Sequence, residues 1–552
     1  MLRLTALALL LAGTAVPALA QNLQIHGGPI YTGVESSSRA ELVQVRDGRI
    51  VFAGRAADAP DATGLTDVDL AGATLFPGFT DGHAHLNGIG AREMELNLEG
   101  SASVEEAMAR LAAWAEAHPE GPIIGRGWIE TRWPEARFLT RQDVDVAAPG
   151  RLVALWRADG HATVLSSSVL AAAGIDASTV APSGGEILKD AAGQPTGLLV
   201  DAAMDLLGGF WSQLGDNPVS ARDRYRAGFA VYARYGWTGI HFMSAPWDDV
   251  PLLEEMAEAG EAPLRVYNSV TPDGALALFA SGARSVADGR IITRAVKFYA
   301  DGALGSRGAA LFEPYADSPD STGLMQTTGA EMVPLYEMAL RSGIQLATHA
   351  IGDRGNHEVT DWYATAMRAV PRAEWGVADP RWRIEHAQIL RPSDYAAFRD
   401  LPIIASMQPS HAIGDFHFAA ARLGDARLDG AYAWKSLVDM GVIVVGGSDA
   451  PVERGDPLIE FYAAVARRDL DGFQGSDWRP QEAVSRETAL KMFTLWPAHA
   501  SFREAELGTI EVGKRADFTA FDIDLMTVPE AEIPHGQAVL TVVDGVVVWS
   551  RN

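Results

Sequence analysis

Thr74-Leu-Phe-Pro-Gly-Phe-Thr-Asp-Gly-His83-Ala-His85 is an apolar run that ends in two histidines one residue apart. Alternate side chains of a strand share a face, so the two imidazoles lie roughly 7 Å apart along the backbone and can converge on one ion. A metal site at a strand end is one reading. Two polar histidines merely decorating that end is the other, because histidine serves both purposes. The rest of the chain has to separate them.

Downstream, apolar segments alternate with helical patterns, the signature of a parallel βα architecture. After the strand ending at His83, the pattern predicts strands at Trp237 to Met243, Leu264 to Val270, Ile292 to Tyr299, Ile344 to His349, Trp382 to His386, Ile403 to Gln408 and Val442 to Ser448. Eight strands of this kind point to an α/β fold, a closed (β/α)₈ TIM barrel over residues 77–504, in which catalytic groups come from the C-terminal strand ends. His83 and His85 follow the first strand, His349 ends the fifth, His386 ends the sixth and Asp449 follows the eighth. Random placement of the 13 histidines would rarely do this, which favours the metal reading.

Roughly 150 residues separate the first strand from the second, more than one helix and its loops need. An insertion is expected at about 121–217, with turn-rich stretches at 181–186 and 190–197 suggesting a hairpin-bearing lid. At both ends of the chain, Asp47-Gly48 and Asp544-Gly545 each separate two apolar runs and predict hairpins. Residues 21–76 and 505–552 are therefore expected to form one composite β-sandwich domain. Arg3, the short apolar stretch from Leu4 to Ala15 and Ala18-Leu-Ala20 read as a signal peptide over residues 1–20, implying a periplasmic or secreted protein.

Acidic residues number 71 against 45 basic ones, a net charge of −26 that argues against nucleic acid or an anionic membrane as a partner once the leader is cleaved. A small-molecule substrate is expected, and homo-oligomerisation stays open. The chain has no cysteine, so stability must come from the core, and metal ligands must be His, Asp, Glu or a modified Lys.

Lys297 falls within an otherwise apolar strand. It can pair with an acid such as Asp301, or its amine can take up carbon dioxide to form a carbamate that bridges metals. Together with Val296-Lys297-Phe-Tyr-Ala-Asp301-Gly302, the segments Pro77–His85, Gly305-Ser-Arg307, Thr348-His349-Ala-Ile-Gly352-Asp353, Arg383-Ile-Glu-His386-Ala387, Gln408-Pro409 and Gly447-Ser-Asp449-Ala-Pro451 resemble the amidohydrolase superfamily. The amidohydrolase 3 branch, which includes N-substituted formamide deformylases, is the most similar; Arg126-Gly-Trp128 and Arg157-Ala-Asp-Gly-His161-Ala162 also resemble it, whereas Ile129-Glu130 departs from its common Gly-Trp-Asp. The resemblance implies two divalent metal ions, by default zinc. His83, His85 and Asp449 would bind the more buried one, His349 and His386 the second, and carboxylated Lys297 would bridge them. It also implies hydrolysis of a non-peptide carbon–nitrogen (amide) bond by metal-activated hydroxide, with Asp449 shuttling the proton or serving only as a ligand. A lactonase or esterase on the same centre is the alternative, and a non-catalytic binding barrel is a third reading that the full ligand set disfavours.

His161 and Arg307 are candidate substrate contacts; Arg307 could instead neutralise Asp301 or Asp353. Trp128 could line the pocket or the core of the lid.

Overall fold

The computed structural model describes residues 22–208, 219–401, 403–473 and 478–551. The expected leader at 1–20 and the end of the expected insertion, up to residue 217, lie outside them. Eight parallel strands follow one another: β1 (Phe79–Ala84), β2 (Trp237–Ala245), β3 (Arg265–Val270), β4 (Ile291–Tyr299), β5 (Gln345–Ala350), β6 (Trp382–His386), β7 (Ile403–Met407) and β8 (Val444–Gly446). These are the strands predicted from the apolar runs, shifted by at most two residues at most ends. Nearly every residue in them is buried, as expected when helices cover one face and the barrel interior the other.

Each strand pairs with the next in sequence, and neighbours stay in register at the site: Tyr299 opposes His349, and His349 opposes Glu385. Among the described residues no ladder joins β8 to β1, so the barrel is nearly closed. The seam is held by other means. Asp449 N–H donates to His83 O at 2.7 Å, and the buried Asp81 carboxylate accepts from Ser448 N–H (3.0 Å), Ser448 Oγ (2.6 Å) and Tyr232 Oη (2.8 Å). The close approach requires glycine: a Cβ on Gly82 would meet Val445 Cγ1 at 2.2 Å, and one on Gly447 would meet His83 N at 2.5 Å.

The opposite end of the barrel is plugged by aromatics. Phe79 stacks on Phe493 at 6.3 Å and meets Phe521 edge-on at 5.4 Å. Such pairs contribute about 0.5–1.5 kcal/mol each beyond the area they bury. Phe521 belongs to the C-terminal strands, so this contact also fastens the chain ends to the barrel.

Those ends form two sheets. One is four-stranded, from Leu23–His26, Leu42–Arg46, Arg49–Gly54 and Thr66–Asp69; the other is six-stranded and interleaves Thr74–Pro77 with Phe518–Phe521 and Ala538–Val543. Both predicted hairpins form, with positive φ at Asp47 and Gly48 and at Asp544 and Gly545. Leu23, Val43 and Val45 from one sheet share a buried cluster with Leu75, Phe518 and Val542 from the other.

Between β1 and β2 the chain builds a further six-stranded sheet from Leu96–Asn97 to Pro195–Asp201, with its own apolar core. It begins before Gly121, and the turn-rich stretch at 181–197 contributes the antiparallel pair Gly185–Lys189 and Pro195–Asp201.

Candidate metal centre

The strand ends bring His83, His85, Lys297, His349, His386 and Asp449 to one side of the barrel. His85, Lys297, His349, His386 and Asp449 line a cavity of about 860 Å³. His83 is fully buried beneath it, with its ring centroid 4.8 Å from that of His386 and 5.6 Å from that of His85; His349 and His386 are 4.5 Å apart. His386 and Asp449 both have positive φ, 74° and 57°, which bends the chain off the end of its strand. Such conformations cost about 1–3 kcal/mol each and persist where the surroundings over-determine them.

The outer nitrogens of three histidines are committed to oxygen acceptors. His83 Nδ1 meets Glu385 Oε2 at 2.6 Å, and His386 Nδ1 meets Gln408 Oε1 at 2.8 Å. His349 Nε2 faces Gly302 O and Asp301 Oδ1, both at 3.4 Å. Each acceptor fixes the proton on the nitrogen it faces and leaves the other nitrogen with a free lone pair, as metal-binding imidazoles require. Asp449 Oδ1 lies 3.3 Å from His83 Nε2 and 3.0 Å from His85 Nε2. Lone pairs turned toward a carboxylate oxygen repel it unless a cation lies between them. His83, His386 and Asp449 each offer a ligand atom within 4.8 Å of the others, so the donor set fits a metal ion.

Burial holds His349 and His386 well below the usual imidazole pKa, which keeps their lone pairs available. Burial alone would raise Asp449, but positive charge at the facing nitrogens of His83 and His85 outweighs it and holds the carboxyl well below the usual range; a cation between them acts in the same direction. The buried Lys297 Nζ lies 3.3 Å from His83 Nε2, and loss of solvation brings it down to about 8, so the neutral amine is accessible near pH 7. Asp301, the acid considered as its ion-pair partner, accepts instead from the backbone N–H groups of Ala310, Ile351 and Gly352 at 2.8–2.9 Å.

Glu385 carries no assigned role in the sequence reading, yet it orients His83 and is itself held by Arg383. The guanidinium donates to Glu385 Oε1 (2.7 Å), Gly82 O (2.7 Å), Ser406 Oγ (2.7 Å) and His241 Nδ1 (2.6 Å), tying β1, β2, β6 and β7 together inside the barrel. Two charges one residue apart in a strand this apolar are the signal that would have revealed the pair, since buried charges need partners. His411, in a helix after β7, stacks on His386 at 5.9 Å and places Nε2 3.6 Å from Asp449 Oδ2; nothing in its spacing reveals this.

The three candidate substrate contacts separate. His161 lines the cavity, its ring 5.2 Å from that of His349. Trp128 is fully buried in the core of the inserted sheet and donates to Leu155 O at 2.9 Å. Arg307 pairs with Asp317 at 3.0 and 3.2 Å and is absent from the residues lining the cavity. Glu130, displaced by one position from the resembling motif, is buried against Arg157 at 2.9 Å.

Burial would lower His161, but its 2.6 Å contact with Asp201 outweighs this and brings it to about 8. Because that lies above the unfolded value near 6.5, the pair's contribution to stability is full below about pH 6.5 and fades as pH rises through about 8. Asp201→Asn should leave burial dominant and drop the His161 ring titration below 6.5. A titration still near 8 in the variant's NMR spectrum would contradict this account.

The amidohydrolase family model matches residues 67–549. The Bacillus subtilis protein YtcJ, which carries the amidohydrolase name, is 32% identical over 96% of this chain and 99% of its own. The N-substituted formamide deformylase of Arthrobacter pascens is 29% identical over 96% and 99%. An uncharacterized metal-dependent hydrolase from Pyrococcus furiosus superposes with a TM-score of 0.71 at 26% identity, covering 91% of this chain and 99% of the other. Strand order, the histidine and aspartate strand ends and these matches agree: the chain belongs to the amidohydrolase family.

Proposed function

We propose that this metal-dependent hydrolase cleaves a non-peptide carbon–nitrogen bond, an amide of a small molecule, outside the cytoplasm. The observation that carries the reading is the set of buried histidines with committed outer nitrogens around an Asp449 oxygen that has no hydrogen-bond donor, at the floor of a cavity. In this reading His83, His85 and Asp449 would hold one ion and His349 and His386 a second, and Lys297 would contribute a carbamate ligand, formed when its neutral amine adds carbon dioxide and releases one proton. Zinc suits this donor set, though nitrogen and oxygen ligands also accept other first-row metals. When bound, the ions supply Lewis acidity and lower the pKa of water.

The protein's own groups handle the protons. Asp449, held anionic, accepts the proton of the attacking water and returns it to the nitrogen that leaves, so one carboxylate serves as base and then acid. His161, its Nδ1 committed to Asp201, presents its other edge to the substrate in the cavity. The similarity to the Arthrobacter deformylase supports a carbon–nitrogen bond.

Zinc-loaded protein assayed against N-acyl amines and the matched esters and lactones should turn over the amides. Turnover of esters or lactones alone would replace this reading with that of an esterase. Lys297→Ala should lower bound metal from two equivalents to one or fewer, read by elemental analysis, and reduce kcat at least about 100-fold. Full occupancy in that variant would remove Lys297 from the centre.

A further inference from the structure

Arg126 stands in the cavity wall with almost nothing to hold. It lies at the end of the inserted strand Ile123–Trp128, and its Nη1 comes within 3.5 Å of where a Cβ on Gly88 would sit, three residues past His85. Nη2 reaches only Ala158 O, at 3.5 Å, and Nε has no acceptor. Among the described residues the guanidinium makes no ion pair. Burial pulls it down to about 10, which still leaves it a cation at neutral pH.

Among the described residues none of the acids around it pairs with it, although Glu95 and the exposed Glu99 act on it at longer range. Asp159 is bonded to Arg157, Asp201 to His161, and Asp449 belongs to the metal centre. Glu95 lines the same cavity and acts on Arg126 without forming an ion pair with it. Arg92 adds further positive potential behind Arg126. A guanidinium has five N–H donors in a fixed fork, and leaving them unmatched in a partly dry wall is costly unless a ligand supplies the acceptor.

We infer that Arg126 is an anion subsite and that the substrate carries a carboxylate, which the guanidinium grips while the scissile bond lies over the strand ends. This rests on the proposed hydrolysis of a small-molecule amide and names the substrate class within it. The bond that breaks and the proton transfers are unchanged; what the subsite adds is orientation, through a planar two-point contact.

The test has two arms on the zinc-loaded full-length protein. In the first, calorimetry compares dicarboxylates from succinate to adipate with monocarboxylates of equal length. At least one dicarboxylate should bind about 10- to 100-fold tighter, and Arg126→Met should erase that difference while Arg126→Lys retains part of it. In the second, kcat/KM is compared for N-acylglycines and the corresponding N-acylmethylamines, which share a scissile bond; the ratio should favour the glycines and fall toward one in Arg126→Met.

If the binding difference is present but neither amide is cleaved, the subsite stands and the hydrolase reading falls. If both amides are cleaved equally and the two acid series bind alike, the hydrolase reading stands and the subsite is overturned. Should Arg126→Met fail to fold, the wild-type ligand comparison and Arg126→Lys still decide.

Discussion

Asp449→Asn is expected to lower kcat by at least about 1,000-fold while leaving the barrel folded. Proton transfer by a positioned carboxylate contributes about 100- to 10,000-fold, and a side-chain amide cannot accept the proton from water. The amide would also turn either N–H donors or a single neutral oxygen toward His83 Nε2 and His85 Nε2, where the wild type offers an anion at 3.3 and 3.0 Å. Metal affinity should therefore fall as well, so the assay requires saturating metal to isolate the proton-transfer defect. The backbone link from Asp449 N–H to His83 O survives the substitution, and far-ultraviolet circular dichroism should be unchanged. A kcat within tenfold of wild type at saturating metal would remove Asp449 from the proton path.

The second large effect should fall on stability. Arg383→Met leaves Glu385 as a buried anion and strips a donor from Gly82 O, Ser406 Oγ and His241 Nδ1. Breaking one partner out of a buried ion pair costs about 3–5 kcal/mol, because the remaining charge stays desolvated. The guanidinium holds Glu385 far below the usual carboxylate range against the burial that would raise it. Its depressed pKa means that its contribution is present above the unfolded carboxylate value and is lost as pH falls through the native one. The variant should melt several degrees lower, and Arg383→Met combined with Glu385→Gln should recover part of the loss, since the pair is coupled. An unchanged melting temperature in the single variant would mean that water replaces the guanidinium.

The barrel and the histidine set were legible because both follow strong one-dimensional rules. A fully buried parallel strand is a short apolar run, and a polar residue at its C-terminal end stands out against that run, as His349 and His386 do. Arg126, Trp128 and Arg307 obeyed no such rule. They lie in the inserted sheet and in a loop, where the direction of a side chain depends on which neighbour it finds: Asp317 for Arg307, the inserted core for Trp128, the open cavity for Arg126. The Glu385–Arg383 pair was visible as letters but not as a role, because only three-dimensional packing brings it under His83.

The interleaving of the chain's two ends sets a schedule for its birth. Thr74–Pro77 finds its partner in Phe518–Phe521, and Phe79 N–H bonds Thr519 Oγ1 across 440 residues. At about 5–20 residues per second, the ribosome needs about 20–90 s to supply that partner. For most of that interval the first barrel strand and its two histidines wait without Asp449, which is made 70 residues before Thr519. The aspartate proposed to complete the grip lies on the far side of the seam and is made late, so on the proposed ligand set a nascent chain would hold metal loosely and firm capture would report that the last barrel strand has docked.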